Sequence, residues 1–186
     1  SYTNGETVSY SVSSLLPGTY TYKLCANDTL GNSACDSVLV TVVDTTAPVF
    51  YVTQEDETIE YGTGTTFSWT VSELLPDKYN ITRDGSLVDF GSYSNGTPIN
   101  YNIAPLSLLP GTYLYKFSAN DTSGNSILDK AILTVQDTTA PSVSDQTDIT
   151  IEYGNAATLS WTVTELLEDK YNITRDGSLV DYGSYT

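Results

Sequence analysis

The sequence has no histidine, no methionine, only two cysteines, and seven lysines and arginines against 23 acidic residues. Each shortage closes off chemistry. Without histidine no His-based catalytic triad can be assembled, and with two cysteines the usual zinc sites cannot form within one chain. The net charge of −16 repels phosphate backbones and anionic membrane surfaces, so no nucleic-acid partner is expected. No apolar run approaches the roughly 20 residues of a membrane span, and no direct membrane insertion is expected. Ser1-Tyr2-Thr3-Asn4-Gly5 has neither the charged start nor the apolar centre of a signal peptide. The expectation is therefore that the sequence begins after any targeting segment, or in the middle of something longer. What is plentiful is tyrosine, 15 residues, together with many Thr and Ser. That composition suits pleated, half-buried strands rather than helices or disorder, and it predicts an all-β protein.

The chain repeats itself. Asp44-Thr45-Thr46-Ala47-Pro48 recurs as Asp137-Thr138-Thr139-Ala140-Pro141, 93 residues on. Ser68-Trp69-Thr70-Val71 recurs as Ser160-Trp161-Thr162-Val163, and Lys78 to Asp89 recurs unchanged as Lys170 to Asp181, both 92 residues on. Taking the Asp-Thr-Thr-Ala-Pro segments as joints, residues 45–137 are one complete repeat. Residues 1–44 are then the C-terminal half of a repeat, and 138–186 the N-terminal half of another. Ser1-Tyr2-Thr3 also matches Ser184-Tyr185-Thr186, so the sequence is two repeats plus a short overlap. Two explanations stand side by side. The sequence is an excerpt from a longer tandem array, or residues 138–186 of one copy complete a domain with residues 1–44 of the next and polymerise head to tail. Either way the expected object is a linear fibre of β-domains.

Within the complete repeat, residues 49–52 and 58–61 are short β-rich runs. Phe67, Trp69 and Val71 alternate onto one face, which is expected to be core. Lys78–Thr82 and Ser86–Phe90 flank Arg83-Asp84-Gly85, a hairpin turn sequence, because Asp and Gly tolerate positive φ. Pro98–Ile103 is a further strand. Tyr113, Tyr115 and Phe117 share one face of the next, and Ala131, Leu133 and Val135 supply the inward face of the last. Seven or eight short strands in about 92 residues, with regular turns and no amphipathic helix, predict a two-sheet antiparallel sandwich.

The Leu-Pro-Gly-Thr-Tyr step at Leu16–Tyr20 and Leu109–Tyr113 resembles the tyrosine corner that closes immunoglobulin-like and fibronectin-type sandwiches. The Asp-Thr-Thr-Ala-Pro joints, with Ala119-Asn120-Asp121-Thr122-Ser123-Gly124-Asn125 before the last strand, are similar to hyalin-type and bacterial or archaeal Ig-like repeats of cell-surface proteins. The resemblance implies tandem Ig-like domains in extracellular stalks, adhesins or filaments, with an archaeal source expected from the Tyr/Thr/Asn-rich repeats.

Cys25 and Cys35 fall on the two strands flanking Asn27–Asn32, with parities that point both outward from one hairpin, so a cross-strand disulfide is expected. The matching residues of the next repeat are Ser118 and Leu128, so the fold does not require the bridge. Asn-x-Ser/Thr triplets at Asn27, Asn80, Asn95, Asn120 and Asn172 are candidate glycan sites, although such triplets arise by chance in any Ser/Thr-rich chain; Pro98 after Thr97 disfavours Asn95. At the pole where a linker meets its following domain, Asp44 is expected to approach Asp121, Asp77 and Glu73, and Asp137 to approach Glu165, Glu168 and Asp169. Such clusters suit a hard cation, and calcium at Asp44, Asp77, Asp121 and Asp137 would stiffen the joints. The alternative is a solvated acidic rim with Asx turns before Pro, and no Asp-x-Asp-x-Asp loop is present.

The sequence thus predicts a non-enzymatic structural subunit or segment of an extracellular filament, stalk or sheath on a cell surface, with neighbouring repeats or subunits of its own kind as partner. The alternative is an adhesin or carbohydrate-binding surface module using Tyr79, Tyr93, Tyr171 and Tyr185 as loop-tip aromatics.

Overall fold

The computed structural model describes residues 4–185, so the match of Ser1–Thr3 to Ser184–Thr186 lies partly outside the described residues. In chain order the strands are β1 (Gly18–Asn27), β2 (Ser33–Val42), β3 (Val49–Val52), β4 (Glu57–Glu60), β5 (Thr65–Ser72), β6 (Pro76–Arg83) and β7 (Ser86–Ser92). They continue with β8 (Pro98–Ile103), β9 (Gly111–Asp121), β10 (Ser126–Gln136), β11 (Ser142–Val143), β12 (Val163–Thr164), β13 (Lys170–Arg175) and β14 (Ser178–Ser184). Strands β3 to β10 make two sheets, ordered β3-β5-β8 and β4-β10-β9-β6-β7. The first strand of the repeat thus opens one sheet, and its continuation β4 switches to the edge of the other beside the last strand. That is the strand order of an immunoglobulin-like antiparallel sandwich. No helix among the described residues is long and apolar enough to cross a membrane.

The described chain divides into two compact units: Ser1–Glu57 with Thr66–Asn102 and Tyr113–Leu133, and Thr58–Thr65 with Ile103–Thr112 and Thr134–Thr186. The first unit holds the sandwich core. Phe67, Trp69 and Val71 of β5 are fully buried, as the alternation predicts, together with Ile81 of β6, Tyr115 and Phe117 of β9 and Ala131 and Leu133 of β10. Phe117 is the centre of this packing. Its ring stacks on Trp69 at 4.9 Å and on Tyr79 at 5.8 Å, and Phe50 tilts against it at 5.8 Å. Such aromatic contacts contribute roughly 0.5–1.5 kcal/mol beyond their area burial. A polar tie binds the two sheets. Trp69 Nε1 donates to Asp129 Oδ2 on β10 at 2.8 Å, Gln54 N donates to the same oxygen, and Ser68 N donates to Gln54 Oε1.

The β6–β7 turn is the two-residue Asp84-Gly85, both at positive φ (50° and 85°), which matches the twist of the flanking strands. Asp84 also reaches forward, and its Oδ1 accepts from Leu114 N at 2.9 Å. The unchanged segment Lys170–Asp181 folds alike: β13–β14 has the same register, the same irregularity after its fourth residue, and an Asp176-Gly177 turn at φ 52° and 80°.

Also in the first unit, β1 and β2 pair only with each other among the described strands. Tyr20 at the start of β1 donates its hydroxyl to Leu16 O at 2.9 Å, a tyrosine corner. In the second unit, Glu60 at the end of β4 grips the start of the next linker. It accepts from the backbone N–H and hydroxyl of both Thr138 and Thr139 at 2.6–3.1 Å.

Candidate functional site

Two features stand out: an acidic joint in the first unit and an open groove in the second. The joint is built from short-range backbone chemistry. Asp121, at the end of β9, is almost fully buried. Its Oδ1 accepts from Ser123 N and Asn125 N, and its Oδ2 from Asn125 Nδ2. Burial alone would raise the Asp121 carboxyl, but the hydrogen bonds from Asn125, Ser123 and Gly124 outweigh it and hold the carboxyl below its ordinary value. Glu73, 8% exposed, folds back so that its Oε1 accepts from Leu74 N and Leu75 N. Asp44 caps its own linker by accepting from Thr46 N, and its backbone carbonyl accepts from Asn125 Nδ2 at 3.1 Å. Carboxylate oxygens of Asp44, Glu73 and Asp121 lie within 4.8 Å of one another.

Of the four aspartates expected to hold a cation, the structure gathers only two. Asp77 lies outside the cluster, its Oδ2 accepting from Asn120 Nδ2 at 3.1 Å, and Glu73, also expected near Asp44, takes the third place. Asp137 accepts from Thr139 N but does not join Glu165, Glu168 or Asp169 in a cluster among the described residues. Glu165 nonetheless folds as Glu73 does, accepting from Leu166 N and Leu167 N.

Tyr93 stands beside this cluster. It is 7% exposed, its backbone N–H donates to Asp77 O, and its hydroxyl is buried without a hydrogen-bond partner. Burial first, and then the negative charges of Glu73, Asp121 and Asp77, push its hydroxyl up to about 12. Tyr93 was expected as an exposed loop tip and is instead part of the interior. Tyr79 is corrected likewise: its ring lies over Gly91, where an added Cβ would meet Tyr79 Cε1 at 3.0 Å, and its hydroxyl donates to Asp89 Oδ2. Tyr171 repeats this arrangement over Gly183 and with Asp181. Tyr171 and Tyr185 are half-buried. Strand parity could not foresee these orientations, because lying flat over a cross-strand glycine is a pair property.

Cys25 and Cys35 sit directly opposite one another on β1 and β2, 4.0 Å apart at Cα, and are disulfide-bonded. Among the sequons, Asn27, Asn80, Asn95 and Asn172 are exposed. Asn95 Oδ1 accepts from Glu73 N, and half-buried Asn120 commits its amide nitrogen to Asp77 Oδ2 and Asp121 O.

The groove has a volume of about 990 Å³ and is lined by Val143, Leu159, Trp161, Val163, Tyr171 and Ile173. These occupy the repeat positions of Phe50, Phe67, Trp69, Val71, Tyr79 and Ile81, which line the core around Phe117. Trp69 is 0% exposed, whereas Trp161 is 39% exposed. The β1–β2 hairpin is the converse case: Leu24, at the position of fully buried Phe117, is 55% exposed. The sequence repeat could have signalled the Glu60 clamp, since Thr58-Ile59-Glu60-Tyr61-Gly62 recurs unbroken as Thr150 to Gly154. The Trp69–Asp129 tie had no comparable local sign.

No protein-family model matches the sequence, and no curated protein matches it at a significant level. Solved structures do resemble it. The titin M3 domain is 23% identical with a TM-score of 0.42, over 50% of this chain and 99% of that one. The titin domains Z1Z2 in complex with telethonin are 22% identical with a TM-score of 0.48, over 74% of this chain and 73% of that one. Titin domain M7 is 19% identical with a TM-score of 0.40, over 50% of this chain and 99% of that one.

Proposed function

We propose that this chain is a non-enzymatic structural segment of an extracellular filament, stalk or sheath built from Ig-like domains joined head to tail. The domains divide at residues 1–44, 45–137 and 138–186, and the partner is more of the same repeat. The first-half repeat, residues 138–185, takes as its complement a hairpin like β1–β2, supplied by a neighbouring repeat or a neighbouring copy. One observation carries this reading: contacts that join the two halves of the complete repeat have both their members present, separately, in the half-repeats. Trp69 and Asp129 correspond to Trp161 and Asp36, Asp77 and Asn120 to Asp169 and Asn27, and Phe117 with its aromatic surround to Leu24 and the groove. Burying such faces is worth about 25 cal/mol per Å², and a head-to-tail interface that does not close on itself extends into a filament.

The disulfide supports an oxidising, extracellular setting, and the acidic surface opposes lateral aggregation. The likeness to archaeal and bacterial surface repeats supports a prokaryotic, archaeal cell surface. The adhesin alternative loses its main support now that Tyr79 and Tyr93 turn inward.

Light scattering across a concentration series, with negative-stain microscopy of the same samples, tests the reading. Mass that grows with concentration, ending in regular fibres, supports complementation between copies. A chain that stays monomeric at every concentration overturns it, and an intact native mass far above 20.1 kDa assigns the complement to the same polypeptide.

A further inference from the structure

Resting on the filament reading, we propose that Glu152 and Gly154 hold Thr45, Thr46 and Leu74 of a second copy of this chain, in a joint that repeats one already made inside the chain. Such a joint links successive domains end to end, and none of its residues lines the groove around Trp161.

The joint inside the chain supplies the geometry. Glu60 collects the backbone N–H and hydroxyl of both Thr138 and Thr139, and Tyr61 N donates to Gln136 O at 2.6 Å. Gly62 follows at φ 87°, a conformation that favours glycine, and a Cβ added there would meet Leu166 Cδ1 at 2.6 Å. Leu166 belongs to the loop between β12 and β13. The end of β4 and its turn therefore touch both the linker and a loop of the repeat that follows.

The same members recur with their partners missing. Thr150 to Gly154 repeats Thr58 to Gly62, and Thr45-Thr46 matches Thr138-Thr139. The receiving side keeps its local fold: Glu152 O accepts from Asn155 N as Glu60 O accepts from Thr63 N, both at 3.0 Å, and Gly154 has φ 89°. Yet Glu152 is exposed, its carboxylate accepts no hydrogen bond among the described residues, and a Cβ added at Gly154 would meet nothing within 4 Å. The other side is equally prepared. Thr46 N donates to Asp44 Oδ1 as Thr139 N donates to Asp137 Oδ1, which leaves Thr45 N and both exposed hydroxyls open to a carboxylate. Leu74 and Leu166 each donate their N–H to the preceding glutamate, so both leave the same turn, but Leu74 is 89% exposed and Leu166 57%. When residues 138–185 of one copy are completed by β1–β2 of another, β2 leads straight into that other copy's Thr45-Thr46, which places the pair beside Glu152 as Thr138-Thr139 lies beside Glu60. An unpartnered carboxylate and unpartnered N–H and O–H donors match, and hydrogen bonds to an ionised acceptor are the stronger kind.

The test is hydrogen exchange at single-amide resolution on the full chain, dilute and at concentrations where light scattering shows growth. Expected in the assemblies is exchange at Thr45 and Thr46 slowed by about tenfold or more, with Thr138 and Thr139 slow in both samples. Glu152→Ala should return Thr45 and Thr46 to fast exchange and raise the concentration needed for growth about tenfold, whereas Glu60→Ala should speed Thr138 and Thr139 alone. Leu74→Ala, outside the sandwich core, should also raise that concentration, because its burial is lost from the joint. Assemblies in which Thr45 and Thr46 exchange as fast as in the dilute chain overturn the joint and leave the filament reading standing. So does slow exchange that persists in Glu152→Ala. A chain that never assembles overturns both.

Discussion

Single side chains hold this domain together at places that sequence pattern only partly announces. Parity placed Phe67, Trp69 and Val71 in the core, and all three are there. That Trp69 also donates to Asp129 depends on two sheets meeting across 60 residues of chain. Replacing Trp69 with Phe removes the donor and leaves a small void, so urea unfolding should give a loss of about 2–4 kcal/mol. Glu60 is a second case. The backbone N–H of Thr138, then the hydroxyls of Thr138 and Thr139 and the N–H of Thr139, outweigh desolvation and hold its carboxyl below the ordinary 4.5. A carboxyl lowered on folding stabilises above its unfolded value and loses that contribution as pH falls through the folded one. Amide exchange at Thr138 and Thr139 should therefore accelerate as pH is taken below about 4.5, after correction for intrinsic rates, and Glu60→Ala should show the fast rate already at neutral pH.

At the scale of strands and hairpins, most of the architecture was legible. The alternations, the Asp-Gly turn and the eight strands of the complete repeat follow from period-2 patterning and from residues that accept positive φ. The β1–β2 hairpin differs in carrying a covalent staple. A two-stranded ribbon is marginal in water, and closing a loop of this length contributes about 2–3 kcal/mol in the chain-entropy view. Reduction, or Cys25→Ser with Cys35→Ser, should raise amide exchange through residues 18–42 while residues 65–92 keep their protection. Sequons separate on the same scale. Asn80 and Asn172 expose their amides on strands β6 and β13, whereas Asn120 has spent its amide on Asp77. Glycopeptide mapping after expression in a glycosylating host should find Asn80 and Asn172 modified and Asn120 bare.

For the molecule as a whole, the sequence repeats with a period of about 92 residues, and the proposed complementation pairs faces one period apart. If the groove around Trp161 receives a hairpin like β1–β2, then Trp161→Lys should abolish concentration-dependent growth in light scattering, while Trp161→Phe should retain most of it. By itself the sequence determined the all-β class, the repeat, the core parity and the disulfide partners, because these are properties of composition, spacing and local backbone preference. Only the tertiary structure decided that Glu73 rather than Asp77 joins Asp44 and Asp121, that Tyr79 and Tyr93 turn inward, and that Glu60 clamps the following linker. Those outcomes depend on where strands distant in sequence bring their ends together, and a side chain's partner there is set by the packing of both sheets rather than by its neighbours in the chain.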